Sequence, residues 1–267
     1  PEVRAYLADT IADRIRRYDL DGVKIDFLDA VIQQPSLPDR TADGRDMTSL
    51  PAAVEALARQ ITAAARAVKR DAMIEYRQAY IGPRMRRTGN LLRASDCAMG
   101  AMENRIRTID LRLTAGRESA VHSDMLLWHA AEPVESAALQ LLNVLFSVPQ
   151  ISVLLDTLPP DHQAMLKFWL GWWRSNRDVL MTGDLHPHHP ESNYPVVSAT
   201  REQHTIAAVY DDTALVSLGT RPAAKLSVVN ATRVGRVVLE CDGDAGPRRV
   251  TITDCQGRPV RHETLHL

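Results

Sequence analysis

The stretch DGVKIDFLDA, residues 21–30, decides how the chain is read. Val23, Ile25 and Phe27 alternate with Lys24 and Asp26, and successive side chains on a strand point to opposite faces. The apolar residues seek a core, and Lys24 and Asp26 share the other face. On a surface sheet those two form a solvated ion pair. On a strand of a parallel barrel they point into the mouth, where such folds build their active sites.

The flanking sequence repeats the theme. Residues 3–18 place Val3, Leu7, Ile11 and Ile15 at helical spacing. The polar, Pro-containing stretch 29–50 is longer than a simple connection needs. A helix follows over 50–70, opened by Pro51. Strands are expected at 72–77, 91–96, 119–128 and 150–155, with helices at 101–114, 134–147 and 161–178. Strand and helix thus alternate five times, the pattern of parallel βα units. The pattern changes after 183–194, where a linker is expected. Short alternating strands then appear near 195–199, 205–210, 214–219, 225–230, 236–240, 248–253 and 259–263, the signature of an antiparallel β-domain.

Bulk properties exclude several classes. A formal net charge of −1 over 267 residues gives no basic field for nucleic acid or an anionic membrane. No apolar run is long enough to span a bilayer. Cys97, Cys241 and Cys255 form neither a metal-ligand spacing nor a disulfide framework. Cys241 and Cys255 could pair across two strands, but reduced thiols and a cytoplasmic location are the plainer expectation. The histidines of HPHHP (186–190) are packed with two prolines into a short loop-like stretch, so they read as linker rather than as metal ligands. No metal or cofactor is expected.

Polar side chains gather toward the C-terminal ends of the strands as i, i+2 pairs: Lys24 with Asp26, Glu75 with Arg77, His122 with Asp124, Gln150 with Ser152. Each pair shares one face, and four such pairs converge on a pocket at a barrel mouth. Bland readings stay open beside this: a structural Lys24–Asp26 ion pair, mutual neutralisation of Glu75 and Arg77, a core histidine at 122. Trp128 reads as a pocket wall, whereas Trp169, Trp172 and Trp173 lie at helical spacing and read as core. RMRR (84–87) reads as a solvated loop. Asp96, at the end of a strand two βα units after Asp26, supplies a second carboxylate. Two carboxylates at one mouth are what glycoside hydrolysis needs.

These residues resemble the α-galactosidase (melibiase) clan, glycoside hydrolase families 27 and 36. DGVKIDFL is similar to the clan's nucleophile strand with its Lys-x-Asp, and LLRASDCAMGAMENRIR to its acid/base segment. The resemblance covers about residues 1–180. This chain departs from the clan in reading KIDFL after the lysine, in placing Arg93 three residues before Asp96, and in lacking a second aspartate after it. The resemblance implies that Asp26 is the nucleophile, Asp96 the acid/base, and Lys24, Glu75 and Arg93 sugar-binding neighbours. With Arg77, His122, Asp124 and Trp128 these make the expected substrate-binding set. The fold it implies is the second part of a (β/α)8 TIM barrel over 1–182, a linker over 183–194 and an antiparallel β-sandwich over 195–267. The expected activity is retaining hydrolysis of terminal α-galactosides, with an α-linked galactoside or oligosaccharide as the partner. An α-glucosidase or other α-glycosidase, or a non-catalytic carbohydrate-binding remnant, is the alternative. A closed barrel has eight strands, so the remaining strands are expected before Pro1, and residues 1–267 alone are expected to be inactive.

Overall fold

The computed structural model describes residues 1–32, 41, 44–77, 82, 84–117, 119–219, 223–244 and 246–266. Residues 33–40, 42 and 43 of the expected loop at 29–50, and Pro83 in the loop before RMRR, lie outside them. Five strands alternate with helices in the order α1 (Glu2–Tyr18), β1 (Gly22–Ile25), α2 (Leu28–Ile32), α3 (Leu50–Val68), β2 (Met73–Tyr76), β3 (Leu91–Arg93), α4 (Ala101–Ala115), β4 (Ala120–Leu126), α5 (Val134–Leu142), β5 (Val148–Ile151) and α6 (Pro160–Thr182). The strands form one parallel sheet in chain order, β1-β2-β3-β4-β5, as successive βα units should.

The residues divide into two compact units. The first comprises Pro1–Ser95 and Asp110–His122, the second Asp96–Ile109 and Ser123–Leu267.

In the first unit, Ile25, Ile74, Tyr76, Leu92 and Val121 form the strand side of a core whose helix side is Ala8, Ile15, Ala58, Ile61 and Ala65. The buried stripe of α1 is Ala8, Ala12 and Ile15, while Val3 and Leu7 are exposed. This corrects the expected stripe. Small alanines let α1 approach α3 closely, which outweighs the size of the valine and leucine side chains. Ser49 caps α3, its Oγ accepting from the Ala52 N–H at 3.4 Å, and Pro51 sits in the first turn. Lys69, just past α3, holds Asp19 at 3.1 Å and Asp21 at 2.8 Å and so fixes the turn into β1. Gly22 starts that strand because a Cβ there would lie 2.1 Å from the Met73 carbonyl oxygen.

In the second unit, α5 and α6 pack with one face of a four-stranded sheet. Trp169 and Trp173 are core, as their spacing suggested, and the Trp173 indole N–H lies 3.0 Å from the Leu145 carbonyl. The sheet runs β10-β8-β7-β6, from β6 (Asp184–His188), β7 (Val196–Arg201), β8 (His204–Val209) and β10 (Lys225–Asn230). Val197, Ala199, Ile206 and Ala208 face the helices, while Val196, Ala207 and Val209 pack with Val216 on the other side. β9 (Leu215–Ser217) pairs β11 (Val238–Glu240), and β12 (Pro247–Thr253) pairs β13 (Pro259–His266).

Two expectations are corrected here. The segment 183–194 is not a mere linker, because Asp184–His188 form β6, paired antiparallel with β7. The C-terminal sheets are not wholly antiparallel either, since β8–β10 and β9–β11 run parallel. Alternation reports strand faces but not strand direction, so the pattern could not distinguish them.

Candidate functional site

The first unit gathers six of the expected site residues. Lys24 is the register partner of Glu75, and Arg93 of His122. Partners in register share a face, and this face is opposite the one that Ile25, Ile74, Leu92 and Val121 press onto α1 and α3. The charges therefore occupy the side that the helices leave free.

Asp26 lies one residue beyond β1. Its Oδ1 meets the Arg77 Nε at 2.9 Å and accepts from the Phe27 N–H at 2.9 Å, while its Oδ2 has the Lys24 Nζ at 3.6 Å. Partial burial pushes its carboxyl up, but the Arg77 guanidinium, the Phe27 N–H and the Lys24 charge together hold it below the ordinary carboxylate value. Asp26 is thus kept ionised. Phe27 is in the left-handed region at φ 57°, a strained setting for an aromatic residue, and its ring is stacked 5.1 Å from the Arg77 guanidinium.

Next along the face, Glu75 Oε2 lies 3.2 Å from His122 Nε2, and Glu75 Oε1 4.0 Å from Arg93 Nε. Burial raises the Glu75 carboxyl, yet the His122 contact, with Lys24 and Arg93 near, leaves it lowered overall. Arg93 and His122 are themselves buried. The result is a belt of alternating charge, Lys24, Asp26, Arg77, then Glu75, Arg93 and His122, suited to binding several hydroxyl groups.

Asp96 belongs to the second unit and sits apart from any strand. β3 ends at Arg93, so Asp96 lies three residues beyond it in a bend, with its side chain exposed. The expected strand over 91–96 is therefore too long. The Asp96 carbonyl accepts from Arg107 Nη1 at 2.6 Å. The next N–H, of Cys97, donates to Asp124 Oδ2 at 2.5 Å. Asp124 is fully buried, and its own N–H and carbonyl are bracketed by the Asn104 amide at 2.9 and 3.3 Å. Asp124 was expected to bind substrate. Instead it is enclosed behind the loop that carries Asp96.

Trp128 was expected as a pocket wall and is instead core. It is buried in the second unit, and its indole N–H donates to His162 Nδ1 at 3.1 Å, whose Nε2 lies 3.0 Å from the Glu132 carbonyl. Asn104, Arg107 and His162 escaped the sequence reading. Asn104 left one signal, a poor helix former in the first turn of α4, past the cap position.

A groove of about 850 Å³ opens in the C-terminal sheets, lined in part by His186, His188, Ser198, Thr200 and Thr205. Its carboxylates, Glu202 and Asp211, are both exposed, and none of the residues above line it. Among the described residues no three His, Cys, Asp or Glu side chains gather to hold a metal, and no helix is long and apolar enough to cross a membrane. No family model and no curated protein matches the chain.

Proposed function

We propose that the chain is the catalytic part of a retaining glycoside hydrolase acting on terminal α-galactosides, and that its five-stranded parallel sheet belongs to a (β/α)8 barrel. The supporting observation is the setting of Asp26. It is an ionised carboxylate at the C-terminal end of a parallel strand, on the face the helices leave free, beside a belt of charged side chains. Active sites of parallel barrels are built at that end.

In this reading Asp26 Oδ2, which has the Lys24 Nζ at 3.6 Å, attacks the anomeric carbon. Its electron pair forms the glycosyl–enzyme bond as the bond to the leaving oxygen breaks. Asp96 gives that oxygen a proton and then takes one from the water that releases the sugar. Arg77 holds the other oxygen of the nucleophile still, and Lys24, Glu75, Arg93 and His122 bind hydroxyls.

The test is trapping. A 5-fluoro-α-galactosyl fluoride should label the peptide containing Asp26, found by mass spectrometry, and Asp26→Asn should abolish both label and turnover of an aryl α-galactoside. Labelling by the α-glucosyl reagent alone would make the enzyme an α-glucosidase. Sugar binding without label or turnover would make it a binding module.

A further inference from the structure

The peptide group between Asp96 and Cys97 is held at both of its polar ends. Its carbonyl accepts from Arg107 at 2.6 Å and its N–H donates to Asp124 at 2.5 Å. A peptide is planar, so holding both polar ends holds the plane and the place of the Asp96 Cα within it, the atom from which the Asp96 side chain leaves. Arg107 stands three residues after Asn104 on α4, and residues so spaced share a helix face. Asn104 meanwhile brackets both backbone groups of Asp124. One face of α4 therefore holds the loop directly through Arg107 and indirectly through Asp124. Asp124 is 0% exposed, and a carboxylate is rarely buried without such a task. The Asp96 side chain, by contrast, is exposed. An exposed side chain thus sits on a held peptide.

We infer that Asp124 is a positioning residue, which orients Asp96 through the Cys97 amide and does not contact sugar. Arg107 does the same from the carbonyl side. The inference rests on the glycosidase reading for its catalytic part and on geometry alone for the tether. A mispositioned general acid has a distinct signature: it slows substrates whose leaving group needs a proton and spares those whose leaving group departs unaided.

The experiment compares the full chain with Asp124→Ala and Asp124→Asn on two substrates, methyl α-galactoside and 2,4-dinitrophenyl α-galactoside. Asp124→Ala should cut kcat for the methyl glycoside ~100-fold, within the usual worth of a general acid, and change the dinitrophenyl rate little. Asp124→Asn keeps an oxygen acceptor and should recover most of the loss. Amide hydrogen exchange at Cys97 should quicken in Asp124→Ala and stay slow in Asp124→Asn. Equal loss on both substrates would mean a general structural role and overturn the inference, as would a raised KM with kcat intact, the mark of a sugar ligand. An unchanged Cys97 exchange rate in Asp124→Ala would overturn the tether itself. If the wild-type protein, assayed with its whole barrel, turns over neither substrate, the glycosidase reading and the catalytic part of the inference are overturned, and the exchange result alone judges the tether.

Discussion

At Asp26 the two oxygens live differently, one against Arg77 and the Phe27 N–H, the other facing Lys24 at longer range. Removing the guanidinium in Arg77→Met takes away a charge that lowers the Asp26 pKa. The acid limb of the kcat/KM profile should then move to higher pH, because Asp26 must be ionised to attack; an unmoved limb would separate Arg77 from the nucleophile. Glu75 gives a second test, through stability. Its folded-state pKa lies below the ordinary 4.5, so the stability it contributes is present above that value and is lost as pH falls through the folded one. In urea titrations the gap between wild type and Glu75→Gln should be open at neutral pH and close in acid. A gap independent of pH would mean that Glu75 acts through packing rather than charge. Glu75→Ala should also raise KM for an aryl α-galactoside more than it lowers kcat, since hydroxyl binding is its proposed part.

The elements were more legible than the side chains they carry. Helical spacing and βα alternation placed the five parallel strands and the longer helices between them, because burial on one face imposes a period that sequence cannot hide; the short α2 (Leu28–Ile32) falls where a loop was expected. Strand ends were not visible in the same way. Residues 94–96 follow on as Ala-Ser-Asp, yet β3 stops at Arg93. Beyond it the 96–97 peptide is held by Asp124 and Arg107, contacts that leave no local signature. The same blindness hid the core role of Trp128, whose partner His162 lies a helix away. Lys24, Asp26, Glu75 and Arg77 were readable because i, i+2 pairing is local. Close approach of backbones distant in sequence gives its own prediction. Gly22→Ala would drive a methyl into the Met73 carbonyl, at a cost of about 1–3 kcal/mol, measurable as a lowered urea midpoint; wild-type stability would mean that β1 can shift away from β2.

Across the whole molecule the two units are threaded through one another in sequence. The chain passes from the first to the second after Ser95, returns at Asp110 and leaves again after His122. Residues 1–95 therefore lack β4, the strand whose Ala120, Val121 and His122 pair with Leu91, Leu92 and Arg93. A polypeptide ending at Ser95 should show no cooperative urea transition, and a sharp one would prove that the first unit closes without Asp110–His122. There is a genetic corollary. A single recombination crossover exchanges everything on one side of a point, and no one point separates these two units. A homologous exchange that brought in a new C-terminal unit would leave 96–109, with Asn104 and Arg107, inherited from the other parent. Lineages of this protein should therefore change their two units in step, by point substitution, and hybrids joined between Asp110 and His122 should be purged for want of an Asp124 matched to Asn104 and Arg107.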